Sequence, residues 1–316
     1  MIQYLLFRLL RWTIGLTLVT FFTYAMMFYG AGDPIKRMFI DSENFDSADP
    51  AVLEALQAKY GLDKPFLVQF TNYIGNLLRG DWGRSIRLSV DRPVWDIIKF
   101  RLPVSMQLGF AATVLAAVFG ITLGILAALH HNRWLDRVII STVIFVTAIP
   151  AFVTAPMLLF FLVLVVKVMN VPYGWNGLFH KDVILPVVVI ALGPLPIIVR
   201  QTRSAVLEVM SQLYIRTARA KGLPEYRVVL GHMLRPVLTP LITTLGLQMI
   251  TLINGSLFVE LVFNIPGFGL LTAEGIRSVD YPIIMAVAII GTLIIFLSNF
   301  FVDLVYPLLD PRLRYT

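Results

Sequence analysis

Residues 102–129 read LPVSMQLGFAATVLAAVFGITLGILAAL, a run without one charged side chain. A helix needs about 20 consecutive apolar residues to cross the hydrocarbon core of a bilayer, because no water is present there to satisfy its backbone amides. This run is longer than that minimum. It therefore predicts a membrane-spanning helix, and it indicates that the chain is an all-α integral membrane protein.

Other charge-free runs are long enough, or nearly long enough, to cross a membrane. They cover residues 12–32, 138–166, 183–199, 236–259 and 281–302. Residues 183–199 are the weakest candidate, because the run is short and contains Pro186, Pro194 and Pro196. Neighbouring helices can satisfy the backbone groups that such prolines leave free. The sequence thus predicts six transmembrane helices.

Composition and charge support this prediction. Apolar residues make up 58% of the chain and charged residues 14%, against roughly 45–50% and about 25% in soluble domains. If the N-terminus is cytoplasmic, the net charge of +7 lies on the cytoplasmic side, while residues 31–101 carry equal numbers of acids and bases. The positive-inside rule explains this asymmetry, so we expect cytoplasmic termini and no nucleic-acid binding. The absence of cysteine excludes disulfides and thiolate metal sites.

The predicted organisation follows from these runs. The first transmembrane helix occupies residues 1–32, and an extracytoplasmic helical segment occupies 33–101. A five-helix core occupies 102–306 and includes a cytoplasmic region at 200–235; residues 307–316 form a cytoplasmic tail. Within 33–101, Asp49-Pro50 begins a helix that Gly61 ends, a second helix follows Asp63 as far as Gly80, and a third covers 93–99. This segment is either a structural cover or a partner-docking element.

Small residues recur at every fourth position of the 102–129 run. They are Ala112, Ala116, Gly120, Gly124 and Ala128. In lipid there is no hydrophobic force between helices, so close packing along small residues drives their association. Helix packing is the favoured role of this stripe, and pore lining is the alternative.

The sequence offers no catalytic residue and no metal site. It contains no Walker loop, no H-E-x-x-H and no G-x-S-x-G, and His130 and His131 are adjacent, so they do not share a helix face. We therefore do not expect this chain to be an enzyme.

An ion-coupled secondary transporter would place ionisable residues inside the membrane. Glu260 and Asp303 are candidates, both near the ends of predicted spans. Asn254, Ser256 and Glu260 could line the outer mouth of a pathway, or Glu260 could be an interfacial acid bonded to a neighbouring helix. The charge-poor interior favours an external motor, while ion-coupled transport and a passive channel remain alternatives.

A basic region between the fourth and fifth spans predicts two short helices that meet at a tight turn. The first helix covers 205–221, Gly222 ends it, and Pro224 opens the second. The turn (the 216–224 turn) reads Arg216-Thr217-Ala218-Arg219-Ala220-Lys221-Gly222-Leu223-Pro224. It resembles the cytoplasmic loop of ABC-importer permeases of the oligopeptide/dipeptide/nickel branch. Arg216 and Thr217 replace the first Glu-Ala of the general family pattern, His232 replaces an isoleucine, and Pro236 comes one residue late.

Further motifs extend the resemblance over the whole chain. They are Tyr60-Gly61-Leu62-Asp63-Lys64-Pro65, Gly80-Asp81-Trp82-Gly83, Ile265-Pro266-Gly267-Phe268-Gly269, Asp280-Tyr281-Pro282 and Asp310-Pro311-Arg312-Leu313-Arg314-Tyr315. The resemblance implies a type I ABC importer permease fold, a bacterial inner-membrane location, and half of a translocation pathway for peptides.

The same resemblance implies the partners. A second homologous permease encloses the pathway with this chain, two ATP-binding subunits carry the ATP and Mg, and an extracytoplasmic solute-binding protein delivers the cargo. No cofactor is expected on this chain. The 216–224 turn would sit in a cleft of an ATPase and transmit its closure. Tyr173-Gly174-Trp175-Asn176-Gly177 favours oligopeptides slightly over dipeptides, and nickel, glutathione and opine-like solutes remain alternatives.

Overall fold

The computed structural model describes residues 2–32, 35, 50–168 and 170–309. Asp49 and the 310–315 motif therefore lie outside the described residues. Side chains are also not described at some helical positions, among them 249–255 and 301–309, which include Asn254 and Asp303. Throughout the described ranges, the regular secondary structure is helical, apart from one isolated bridge between Arg84 and Pro93.

Most of the described residues belong to α-helices. The first half of the chain contains α1 (Ile2–Met26), α2 (Pro50–Tyr60), α3 (Phe66–Leu78), α4 (Val94–Leu129), α5 (Trp134–Ala148) and α6 (Ala151–Leu159). The second half contains α7 (Ile184–Leu192), α8 (Leu195–Met210), α9 (Leu213–Ala220), α10 (Glu225–Val228), α11 (Leu234–Gly255), α12 (Leu257–Val262), α13 (Phe268–Ser278) and α14 (Tyr281–Leu309). Short π-helical turns, Met27–Ala31, Phe160–Val165 and Val229–Met233, extend α1, α6 and α10.

Two of the three helices predicted between the first and second spans are confirmed as α2 and α3, which Gly61 and Gly80 follow. The third prediction is wrong in one respect. Residues 93–99 do not form a separate helix, because α4 runs without a break through Pro103 for 36 residues. A proline inside a helix removes one backbone hydrogen bond without obliging the helix to end.

Among the described residues, three helical stretches are long and apolar enough to cross a membrane: Phe7–Gly30, Val94–Leu129 and Tyr281–Phe300. Two further helix pairs are each bent at a short break, and the number is five if each pair counts as one span. One joins Trp134–Ala148 to Phe152–Val165, and the other joins Lys181–Leu192 to Leu195–Met210 with a bend of 55°. The second pair contains the proline-rich run 183–199, where Gly193 and Pro194 separate α7 from α8. The total of six spans stays a prediction.

The chain divides into two compact units. The first comprises Met1–Pro103 and Leu270–Phe296. In it, α1 packs against α3 through aromatic rings: Phe21 meets Phe70 edge-on with centroids 5.4 Å apart. Trp12 stacks on Phe296 of α14 at 5.6 Å. Such aromatic pairs contribute stabilising free energy beyond that of the apolar area that they bury.

A buried carboxylate fastens a loop of this unit to the start of α14. Asp280 is fully buried, and its Oδ2 accepts hydrogen bonds from Ser85 Oγ at 2.6 Å and from the backbone N–H groups of Arg87 and Leu88 at 2.9 Å. A carboxylate that accepts several donors in this way is held firmly and rigidifies both partners. The contacts join residues 195 positions apart in the sequence.

The second unit comprises Val104–Gly269 and Leu297–Thr316. Its core contains the small-residue stripe of α4, whose Ala112, Ala116 and Ala128 are no more than 1% exposed. A Cβ at Gly120 would lie 2.7 Å from Ile198 Cγ2, and one at Gly124 would lie 2.5 Å from Thr202 Cβ and 2.8 Å from the Val199 carbonyl oxygen. The stripe therefore brings the backbone of α4 close to α8.

Replacing Gly124 with alanine is expected to destabilise the protein by about 1–3 kcal/mol, because the new methyl group collides with a neighbouring backbone oxygen that cannot move aside alone. The matched control is Gly75→Ala, since Gly75 lies inside α3 with nothing within 4 Å of an added Cβ. Thermal unfolding of the two variants in lipid nanodiscs measures the difference. An equal melting temperature for both would contradict the close approach of α4 and α8.

Candidate functional site

The 216–224 turn is a sharp reversal between α9 and α10. Lys221 follows the last residue of α9, and Gly222 has φ +75°. The Gly222 N–H donates to the Arg219 carbonyl at 2.9 Å, and the Leu223 N–H donates to the Ala218 carbonyl at 3.4 Å. A left-handed φ is unfavourable for residues with a Cβ. The turn therefore depends on glycine at this position.

The predicted helix 205–221 is divided in the structure, because α8 ends at Met210 and α9 begins at Leu213. Leu213, the first residue of α9, is 78% exposed. Ser211 and Gln212 interrupt the helix, so the helical spacing does not continue across them.

One face of the turn is anchored in the interior of the second unit. Ile215, Ala218, Val228 and Met233 are at most 5% exposed. They belong to one apolar cluster with members on α8 and α11, namely Val206, Val209, Val237 and Leu241. The residues on either side of the turn are therefore packed against both helices through buried side chains.

The opposite face of the turn is exposed and basic. Arg216, Thr217, Arg219, Ala220 and Lys221 are all exposed. Arg219 pairs with Glu225 through two hydrogen bonds, from Nη2 to Oε1 at 2.6 Å and from Nε to Oε2 at 3.2 Å, and this fork braces α9 against α10. Exposed apolar side chains flank the face, Tyr226 with 60% exposure among them. The exposed face of the turn therefore combines basic side chains with neighbouring apolar ones.

A partly buried ion pair that was not expected from the sequence links α5 to α8. Arg203 Nε donates to Asp136 Oδ1 at 2.7 Å and Arg203 Nη2 donates to Asp136 Oδ2 at 2.8 Å. Asp136 also accepts the Asn132 N–H at 2.9 Å, just before α5 begins. The signal in the sequence was an acid in an otherwise basic region, but spacing alone does not show which base it meets.

Glu260, a candidate pathway residue, is fully buried and so is Ser256. The Oγ atoms of Ser256 and Ser105 both donate to Glu260 Oε1 at 2.5 Å. Ser105 Oγ in turn accepts the Phe268 N–H at 2.7 Å. The carboxyl group therefore joins α4, α12 and the start of α13, as expected of an acid bonded to a neighbouring helix.

Two glycines make room for this carboxyl group. A Cβ at Gly269 would lie 2.9 Å from Glu260 Oε2, and a Cβ at Gly267 would overlap the carboxylate. The motif 265–269 is thus packed around Glu260 and leaves no space for a larger residue. The side chain of Asn254 is not described, so the structure brings together two of the three candidate pathway residues. Ser105 was not singled out from the sequence, where its signal was a hydroxyl within an apolar run.

Comparison with known proteins gives the family. Residues 120–315 match the binding-protein-dependent transport system inner membrane component, and residues 1–109 match the N-terminal region of such membrane components. The chain is 37% identical to the oligopeptide transport system permease protein OppB of Haemophilus influenzae over all of both chains. It is 35% identical to the dipeptide transport system permease protein DppB of Bacillus subtilis over 99% of this chain and 98% of that one.

Two further comparisons widen the family and show the fold. The chain is 35% identical to the glutathione transport system permease protein GsiC of Escherichia coli over the full length of both. A solved inward-facing structure of the MetNI methionine ABC transporter aligns with a TM-score of 0.58 and 18% identity, over 68% of this chain and 96% of that one. The last likeness shows that the helical fold is shared. By sequence, this protein belongs to the family of binding-protein-dependent transport system inner membrane components.

Proposed function

We propose that this chain is a permease subunit of an ATP-driven importer of peptides, and that it forms half of the translocation pathway together with a second, homologous permease. The observation that carries the proposal is the 216–224 turn: a basic protrusion on a buried apolar base, in a chain of this family. Relatives with 35–37% identity are named for the transport of dipeptides and oligopeptides, and they support the substrate class.

The proposed mechanism uses the turn as a mechanical coupling. An ATP-binding subunit binds the exposed basic face of the turn. ATP and Mg bind to the two ATP-binding subunits and not to this chain. When the two ATPases close, the turn moves as a rigid body, and the apolar cluster carries the movement into α8 and α11. A hydrogen bond of 2.5 Å from Thr244 Oγ1 to Gln201 Oε1 also ties these two helices.

The proposed topology places the 216–224 turn and both termini in the cytoplasm of a bacterium and the chain in the inner membrane, with six spans. The segment 33–101 then lies outside the cytoplasm, on the side where a solute-binding protein delivers its cargo. The uneven distribution of basic residues supports this orientation. ATP binding opens the pathway toward the binding protein, and hydrolysis resets it toward the cytoplasm.

Reconstitution tests the proposal. The chain is purified with the proposed second permease, two ATPases and binding protein, and the complex is placed in liposomes. The binding protein and trialanine are added outside the liposomes. We expect trialanine to stimulate ATP hydrolysis and to accumulate inside the liposomes. Glutathione, dialanine and Ni²⁺ are the comparison substrates, the first because of the similarity to a glutathione permease.

Either of two results would reject the function. One is uphill transport by the isolated chain without an ATPase, driven by a proton or sodium gradient, which would identify an ion-coupled transporter. The other is conduction by the isolated chain in planar bilayers with no dependence on ATP, which would identify a passive channel. Stimulation by glutathione or Ni²⁺ and not by peptides would keep the importer and change its substrate.

A further inference from the structure

A cavity of about 610 Å³ lies in the first unit beside α3. All of its described lining residues belong to that unit. Its volume falls within the roughly 300–1,000 Å³ that is usual for small-molecule sites in proteins. Since no part of the 216–224 turn or of the Glu260 contacts borders it, the cavity is separate from the site described above.

The polar side of α3 forms one wall of the cavity. Gln69, Asn72, Tyr73 and Asn76 are spaced three, four and seven positions apart, so they share a helix face, and all line the cavity. Gln69 is already saturated: its Nε2 donates to the carbonyls of Leu62 and Lys64, and its Oε1 accepts from the Tyr24 hydroxyl at 3.0 Å. These bonds fix the wall and leave the other three side chains for a ligand.

Hydrogen-bonding capacity on this wall is unused. The Tyr73 hydroxyl is buried and has no hydrogen-bond partner, which is uncommon in native proteins. Burial raises the pKa of Tyr73, and nearby Tyr24 adds to the effect, so the hydroxyl keeps its proton and remains a donor. Among the described residues, the amides of Asn72 and Asn76 also have no side-chain hydrogen bond.

The charged lining of the same cavity holds more bases than acids: Lys59, Lys64, Arg79 and Arg84 against Asp81 and Asp91. Lys59 pairs with Asp91 at 3.5 Å, and Asp81 accepts the Gly83 N–H at 2.9 Å. Neither Lys64 nor Arg79 forms an ion pair with an acid in the described part of the chain. This excess of positive charge attracts an anion, and the planar guanidinium of Arg79 suits a carboxylate in particular.

We propose that this cavity binds a small organic molecule through its carboxylate, which Arg79 holds. The body of the ligand lies along the α3 wall, where Tyr73 donates a hydrogen bond and the amides of Asn72 and Asn76 meet its polar groups. An inorganic anion would occupy only a small part of 610 Å³. The amides and aromatic rings of the lining suit an organic body that itself contains amide groups.

Binding measurements on the full chain in lipid nanodiscs test this proposal. The probe is trialanine, and its C-terminal amide is the comparison ligand. We expect saturable binding of trialanine that weakens at least about tenfold when the carboxylate is amidated and by a similar factor in Arg79→Gln, because hydrogen bonds between charged groups contribute strongly. Tyr73→Phe, which removes one hydroxyl, is expected to weaken binding several-fold.

The control variant is Arg277→Gln. Arg277 is an exposed residue of α13 that does not line the cavity, so trialanine affinity should not change. The proposal is overturned if trialanine does not bind, if its amide binds equally well, or if Arg79→Gln binds normally, since binding would then occur elsewhere. Displacement by equimolar inorganic phosphate would also overturn it. Because binding and not uptake is measured, the outcome does not depend on the proposed transport function.

Discussion

Gly222→Val is expected to reduce ATP-driven uptake about tenfold or more while the protein still inserts into the membrane in normal amount. A residue with a Cβ pays roughly 1–2 kcal/mol to adopt a left-handed conformation, and a β-branched residue is less tolerant still. Since 1.4 kcal/mol corresponds to a factor of about ten, the native turn at φ +75° becomes a minor conformation. An ATPase that recognises this turn would then bind it with much lower affinity.

Gly222→Asn separates backbone strain from simple bulk. Nothing lies within 4 Å of a Cβ added at Gly222, so the larger asparagine has room, and asparagine accepts positive φ more readily than valine. We expect Gly222→Asn to retain most of the uptake. Uptake and ATP hydrolysis, both measured in the reconstituted complex, are the readouts. Normal coupled transport by the valine variant would contradict a coupling role for the turn.

The second large effect is expected at Glu260. Glu260→Ala removes the acceptor of Ser105 and Ser256, leaves both buried hydroxyls without that partner, and opens space beside Gly267 and Gly269. An unsatisfied buried polar group costs about 1–3 kcal/mol. The variant should therefore unfold at a markedly lower temperature and lose transport as a consequence.

Glu260→Gln distinguishes a structural joint from a pathway residue. Glutamine keeps an oxygen that can accept from both serines, so thermal stability and uptake should remain near those of the native protein. The control, Glu208→Ala, changes an exposed acid of α8 and should alter neither. If Glu260→Gln kept its stability and still lost uptake, Glu260 would have a direct role in transport, and the ion-coupled mechanism would regain support.

Much of the architecture follows from simple sequence patterns. Charge-free runs located the long helices, because lipid allows few alternatives to a helix. Helical spacing with glycine at the ends located α2 and α3, and the small residues of α4 are buried in the structure. The separate third helix predicted for residues 93–99 was wrong, since α4 begins at Val94 and continues to Leu129 without a break.

The contacts between distant residues could not be predicted. Glu260 was singled out, but its partner Ser105 lies 155 positions away, and the pattern of a single span does not show which helix packs beside it. Arg203 and Asp136 are 67 positions apart, in a region where several arginines could have been the partner. The cavity beside α3 was also not foreseen, because a polar helix face predicts exposure to water equally well.

The bond network of Asp280 has a consequence for biosynthesis. Ser85 and the loop after it leave the ribosome long before Asp280, which follows 195 positions later. At about 5–20 residues per second, Ser85 is synthesised roughly 10–40 s before Asp280. During that interval Ser85 and the N–H groups of Arg87 and Leu88 lack this acceptor, so the loop gains its native contacts only when translation is nearly complete. A product that ends before Asp280 would lack these contacts permanently.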